Sequence, residues 1–248
     1  AESRLAVLVV YSNAMAFGAR EWARYFANYV HPYWNSETFT VIPLDGEPAF
    51  LINYGFMTDL AREGSPIDDV RSPLERFGAA SRYAGLGESL AEILRDRGVE
   101  RGPIGISYAG GQGDWSPHPL REVIGGAVGD ADVHDAHELL VRLTLKKTSY
   151  DLEMIRRTSE IMSAGLEAAF EVAGVGVPEY EPYLSFQRSV IEAGCDSPLF
   201  HYVCGSGPSA HVALRPLAAT GRRFESGDLF MIDAGICYQG YYADVTRT

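Results

Sequence analysis

The chain has little cysteine, no lysine-rich run and no long apolar stretch. Its three cysteines, Cys195, Cys204 and Cys237, are odd in number and lack C-x-x-C spacing. Free thiols in a reducing, cytoplasmic setting are the expectation that follows. The longest early apolar run, Leu5 to Val10, has the length of a strand. It is too short for a signal peptide or a membrane span. A nucleic-acid surface needs a basic patch, and the formal charge here is -12. Neither a nucleic-acid nor a membrane partner is expected.

What is present is ordinary for a folded protein. A chain of 248 residues, 46% hydrophobic and 22% charged, can bury a core in one large or two ordinary domains. Leu5 to Tyr11 has a buried-strand pattern, and Arg20 to Val30 is helical with Trp22 and Phe26 on one face. Asp45-Gly46 between two apolar runs signals a hairpin. Residues 55 to 80 mix Gly, Pro and charge and are expected to be mostly loop. A helix over Ser89 to Arg97 is stopped by Gly98, and Pro103 to Ser107 is a short strand. Ser116 and Pro117 open a helix with Leu120, Val123 and Ile124 inward. Strands alternating with helices predict an α/β domain over residues 1–138.

Two motifs in this half carry no chemistry. Gly110 to Gly113 is Gly-rich but has no P-loop lysine after it. His134-Asp-Ala-His137-Glu138 offers metal-ligating groups at helical spacing but is expected to be a solvated helix start.

The second half, 139–248, opens with Thr148 to Asp151, a capping-box pattern with Asp in place of the usual Glu. The helix that follows carries Leu152, Ile155, Met162, Leu166 and Phe170 on one stripe. Pro178 is expected to begin a second helix with Leu184 and Ile191 inward, stopped by Gly194. Phe200 to Cys204 reads as a strand leading into Gly205-Ser-Gly-Pro-Ser-Ala-His211. The G-x-G-x-x-A within it is not a dinucleotide fingerprint, because Pro208 and Pro216 leave no helix to face a phosphate. Ser206, Ser209, His211 and Asp233 could be drawn as a nucleophilic set, but the G-x-S-x-G elbow is absent.

The last stretch, Gly227 to Thr248, carries the chemistry. It reads as a β-hairpin turning at Gln239-Gly240. If those two residues form the turn, Asp233 lies across from Thr246 and Gly235 from Asp244. Asp233 and Asp244 then share a face as diagonal neighbours. Two carboxylates in a half-buried setting repel and are costly to desolvate, and a divalent cation relieves both costs. Oxygen ligands suit Mn, Co, Mg or Zn. A one-residue slip would put the acids on opposite faces. Spacing alone leaves two solvated hairpin acids as the alternative.

Asp233-Ala-Gly followed by Gly240-Tyr-Tyr-Ala-Asp244-Val-Thr-Arg-Thr248 resembles the first metal-ligand hairpin of the pita-bread metallopeptidases, the creatinase, prolidase and aminopeptidase P family. The resemblance extends upstream through the Ser-Gly turn and His211 and through Lys147 to Arg156. It implies α/β followed by α+β: a ribonuclease-H-like amino-terminal domain, then the first half of a pita-bread domain. It implies that Asp233 and Asp244 bind two divalent ions, with Asp244 bridging; Mn is expected first, with Co or Zn as alternatives. His211 would hydrogen-bond the substrate carbonyl or leaving nitrogen, and His201 is a candidate pocket-lining, substrate-binding residue. The implied activity is Xaa-Pro peptide hydrolysis in a homodimer.

Family members supply a His and two Glu as further ligands, downstream of the matching stretch. The chain is therefore expected to be part of a longer polypeptide. With Asp233 and Asp244 alone, a dinuclear site would be weak. Non-peptidase members of the same scaffold, acting on small amides, amidines or osmolytes, and an inactive binding module are the alternatives.

Overall fold

The computed structural model describes residues 5–13, 20–30, 36–73, 85–107, 124–129, 131–210 and 220–248. The helix expected from Ser116 lies mostly outside these residues, as does Gly110 to Gly113; a helical segment at 124–128 is described, with Ile124 buried. The chain forms two compact units, Ala1–Lys146 and Lys147–Thr248.

The first unit is an α/β layer. Its strands are β1 (Val7–Asn13), β2 (Glu37–Pro43), β3 (Ala49–Ile52), β4 (Asp69–Arg71), β5 (Ile104–Ser107) and β6 (Val133–Asp135). Its helices are α1 (Arg20–Ala27), α2 (Thr58–Gly64), α3 (Leu86–Asp96) and α4 (His137–Leu145). The sheet order is β4-β3-β2-β1-β5-β6. Strands β1, β2 and β3 pair antiparallel, while β1–β5, β5–β6 and β3–β4 pair parallel. The Asp45-Gly46 turn is as expected, with Gly46 at φ 109°, a value that a Cβ would strain. Val9, Tyr11, Phe39, Leu51, Leu90 and Ile106 share one buried cluster. Of the stretch 55–80, residues 74–80 lie outside the described residues, and 55–73 are more ordered than the composition suggests: Gly55–Met57 is a 3-10 turn, and α2 and β4 follow. Ala61, Ile67 and Val70 supply the apolar anchors that hold this stretch.

The second unit comprises α5 (Ser149–Val172), α6 (Tyr180–Glu192), β7 (Ser197–Ser206), β8 (Phe230–Tyr238) and β9 (Tyr241–Arg247). The three strands form one antiparallel sheet in chain order. The two helices cover one face of it. Ile161, Met162, Leu166, Phe186, Val190, Tyr202, Cys204, Ile232, Ala234 and Ile236 make that core. The α/β-then-α+β order read from the sequence is the order found.

Helix packing departs from the expected stripes. Leu152 and Ile155 on α5, and Leu184 and Ile191 on α6, are exposed. Pro182, Phe186 and Val190 face inward on α6 instead. On α6 the inward pair Phe186 and Val190 meets Gly165 of α5. A Cβ there would lie 2.8 Å from Val190 Cγ1 and 3.0 Å from Phe186 Cε2, so the missing side chain makes the notch that receives both. Pro178 does not open α6 either. It forms an isolated antiparallel bridge with Arg223, and the helix begins at Tyr180.

Candidate metal-binding hairpin

The turn sets the geometry. Gln239 and Gly240 both have positive φ, 50° and 80°, as a two-residue hairpin of matching twist requires. Asp196 Oδ2 accepts a hydrogen bond from Gly240 N at 2.7 Å and fixes the turn from outside. Beyond the turn the ladder runs without a bulge. Asp233 pairs with Thr246, Gly235 with Asp244 and Cys237 with Tyr242. This is the register expected from the sequence.

Period-two alternation then sorts the side chains. Ile232, Ala234 and Ile236 of β8, with Ala243 and Val245 of β9, pack into the core. Asp233 and Asp244 lie on the other face, one diagonal step apart. Asp233 is half-buried and Asp244 exposed. Thr246 Oγ1 donates to Asp233 Oδ1 at 2.9 Å and orients that carboxylate.

Strand β7 extends the same rows. Val203 is opposite Asp233, and His201 is opposite Gly235. A row therefore crosses the sheet from His201 through Gly235 to Asp244. His211 lies outside the described residues. Among the described residues no group of three or more His, Cys, Asp and Glu side chains is gathered for a metal ion. Of the residues expected to bind metal, Asp233 and Asp244 are both described. Their chemistry fits a hard or borderline divalent cation, since both are oxygen donors on one face of a rigid ladder.

Helix α5 is tied to this hairpin. Thr148 and Asp151 form a reciprocal capping box at its start. Asp151 also accepts from Tyr241 Oη at 2.5 Å, so one carboxylate serves both helix and hairpin. The hydrogen bond from Tyr241, and next those from Thr148, hold its carboxyl below the usual carboxylate range. The capping role was visible in the sequence. The Tyr241 contact, ninety positions away, was not.

Other candidates are set aside by their surroundings. A cleft of about 830 Å³ runs between α5 and β9, lined by Met162, Leu166, Phe170, Val245 and Arg247. Val245 and Arg247 alternate with Asp244 and Thr246, so the cleft lies on the opposite face from the acids. Ser206 is fully buried, donates its hydroxyl proton to Glu179 and accepts from Arg222. It is no activated nucleophile. Burial pushes the Cys204 thiol up to about 12 and the Cys195 thiol to about 11, which leaves both inert near neutral pH. His134 lies on β6, its Nε2 3.0 Å from Asp132, and only His137 and Glu138 of the motif that starts at His134 begin α4.

Residues 153–248 match metallopeptidase family M24. The Xaa-Pro dipeptidase of Pyrococcus furiosus is 32% identical over 111 residues, covering 45% of this chain and 31% of that protein. The Xaa-Pro aminopeptidase of Escherichia coli is 29% identical over 120 residues, covering 48% of this chain and 26% of that protein. Among solved structures, the prolidase from Pyrococcus furiosus superposes with a TM-score of 0.70 at 20% identity, over 98% of this chain and 65% of its own. The Xaa-Pro dipeptidase from Bacillus anthracis gives 0.69 at 19% identity, over 98% of this chain and 59% of its own. At such identity the structural likeness speaks for the fold alone, a partial pita-bread architecture behind an α/β unit. The matched stretch spans under a third of the first two curated relatives, 31% and 28%.

Proposed function

We propose that this chain, a relative of the M24 metallopeptidases, serves a metal-dependent hydrolase that cleaves the peptide bond before proline. The observation that carries the reading is the β8–β9 register. It sets Asp233 and Asp244 on one face, inside the segment that matches the family.

In this reading Asp233 and Asp244 would supply carboxylate oxygens to a divalent metal centre. Mn is the first candidate, and Co or Zn would suit the same oxygens. When bound, such ions supply a water acidified to near neutral pH and polarise an amide carbonyl. The chain's own part is to orient and to stabilise. Thr246 holds one oxygen of Asp233, so the second carboxylate oxygen keeps a defined direction. His211 donates a hydrogen bond to the scissile carbonyl oxygen, or to the leaving nitrogen, as the carbonyl carbon becomes tetrahedral. His201, in the same cross-strand row as Asp244, contributes to the substrate pocket. We further assign substrate shaping to residues 1–138 and metal holding to 139–248, in a cytoplasmic homodimer acting on peptides.

The test is hydrolysis of Xaa-Pro dipeptides by the intact protein with Mn, beside creatine, a sulfonium compound and a cyclic amidine. Turnover of Xaa-Pro that is lost in Asp244→Ala and in chelator supports the reading. Turnover of a small amidine or sulfonium compound and not of Xaa-Pro would replace the peptidase by a small-molecule enzyme on the same scaffold.

A further inference from the structure

Glu179 is a buried carboxylate that the hydrolytic scheme leaves unused. Only 1% of it is exposed, in the connection just before α6. A charge in such a place is costly unless hydrogen bonds replace its water. Here they do. Oε1 accepts from Ser206 N at 3.0 Å and from Ser206 Oγ at 2.5 Å. Oε2 accepts from the Thr220 hydroxyl. The Ser206 oxygen in turn accepts from Arg222 Nη1 at 2.6 Å. Arg222 also forks onto Asp228, Nη1 to Oδ2 at 2.6 Å and Nη2 to Oδ1 at 3.1 Å. The polarity is consistent along the chain of bonds, from guanidinium to hydroxyl to carboxylate.

The backbone follows the same path. Glu179 N donates to Arg222 O at 2.9 Å, Phe224 N to Val177 O at 3.0 Å and Gly207 N to Leu229 O at 2.9 Å. The two glycines around Ser206 are required by this packing. A Cβ at Gly207 would lie 2.3 Å from Asp228 Oδ1, and φ there is 50°. A Cβ at Gly205 would lie 2.6 Å from the Ser209 carbonyl oxygen. Gly205-Ser206-Gly207 is thus built for Glu179 and Arg222, not for a phosphate.

Ser206 ends β7, three positions beyond Val203, the partner of Asp233. Thr220 and Arg222 stand at the far side of residues 207–219. In the sequence His211 falls between these anchors. We propose that Glu179 is a positioning residue. One carboxylate, through its two oxygens, fixes the two described chain segments on either side of residues 211–219, the stretch from which the hydrolase reading takes its histidine. The proposal rests on the hydrolase reading above for its catalytic consequence, but not for its structural content. Side chains that act through a rigid support are placed by the support, and small displacements cost rate rather than folding.

The experiment uses Glu179→Ala, Glu179→Gln and Ser206→Ala in the intact protein, with two readouts. Amide hydrogen exchange by mass spectrometry needs neither substrate nor metal. In Glu179→Ala, exchange is expected to rise at least tenfold in peptides covering 204–210 and 220–226, with residues 230–247 within twofold of wild type. Glu179→Gln, which keeps one acceptor oxygen, is expected to fall between. Wild-type exchange in both flanking peptides of Glu179→Ala overturns the proposal, whatever the protein hydrolyses. In the Xaa-Pro assay the same variant is expected to lose at least tenfold in kcat, with Mn affinity within twofold. An unchanged kcat, or a loss of Mn affinity equal to the loss of rate, overturns the positioning role. If wild type has no Xaa-Pro turnover, the hydrolase reading falls, the catalytic half of the proposal falls with it, and exchange alone decides the anchoring. Should Glu179→Ala not fold, Ser206→Ala removes one anchor and is expected to raise exchange at 204–210 about threefold or more; no rise there overturns the proposal.

Discussion

Thr246 Oγ1 donates to Asp233 Oδ1 across the β8–β9 ladder at 2.9 Å. The bond exists because the two residues are direct partners in the register. It gives one acidic side chain a fixed direction. Thr246→Val keeps the β-branched shape and removes the donor. Metal affinity is expected to fall about tenfold, the lower end of what outer-shell partners contribute. Titration calorimetry with Mn checks this, and an affinity equal to wild type would detach the threonine from the site.

The Tyr241–Asp151 bond gives a pH dependence with a definite sign. The Asp151 carboxyl is held below the usual carboxylate range, first by Tyr241 and then by Thr148. Its contribution to stability is therefore complete above the unfolded carboxylate value. It is lost as pH falls through the lowered folded value. Tyr241→Phe is expected to be about 1 kcal/mol less stable than wild type at pH 7. The gap is expected to narrow as the pH is lowered below the carboxylate range. Urea melts at both pH values measure it, and a gap that widens in acid would contradict the assignment.

Gly165 in the middle of α5 costs helix propensity and gains packing. Replacing it with Ala should return about 1 kcal/mol of propensity. The new Cβ would press on Val190 and Phe186 at 2.8 and 3.0 Å. Overpacking of that kind costs about 1–3 kcal/mol, so Gly165→Ala is expected to be destabilising by roughly 1 kcal/mol net. Denaturant unfolding decides it, and a stabilised variant would mean that the helix pair can separate without penalty.

The hairpin was legible in the sequence because its determinants are local. A two-residue turn with Gly at its second place leaves one register, and that register orders the paired side chains from Ile232 to Arg247. The α/β alternation of the first unit was legible for the same reason. The inward face of α6 was not, because Phe186 and Val190, not Leu184 and Ile191, are the pair that meets Gly165 on another helix. Nor was α2, whose burial depends on Ala61 meeting the cluster of Phe50 and Val70. The Glu179 network escaped entirely. Glu179, Ser206, Thr220, Arg222 and Asp228 share no periodicity and meet only through tertiary contact. The Gly-Ser-Gly run was a signal of close packing, but nothing local named the partner.

The central claim is that Asp233 and Asp244 act as one cation-holding unit. Its most direct test is Mn binding to the intact protein and to Asp233→Asn, Asp244→Asn and the double variant, measured by calorimetry with metal counted per chain. If the two oxygens sets are shared, each single substitution should lower affinity by nearly as much as the pair, well short of additive. Wild-type affinity and stoichiometry in all three variants would contradict the account.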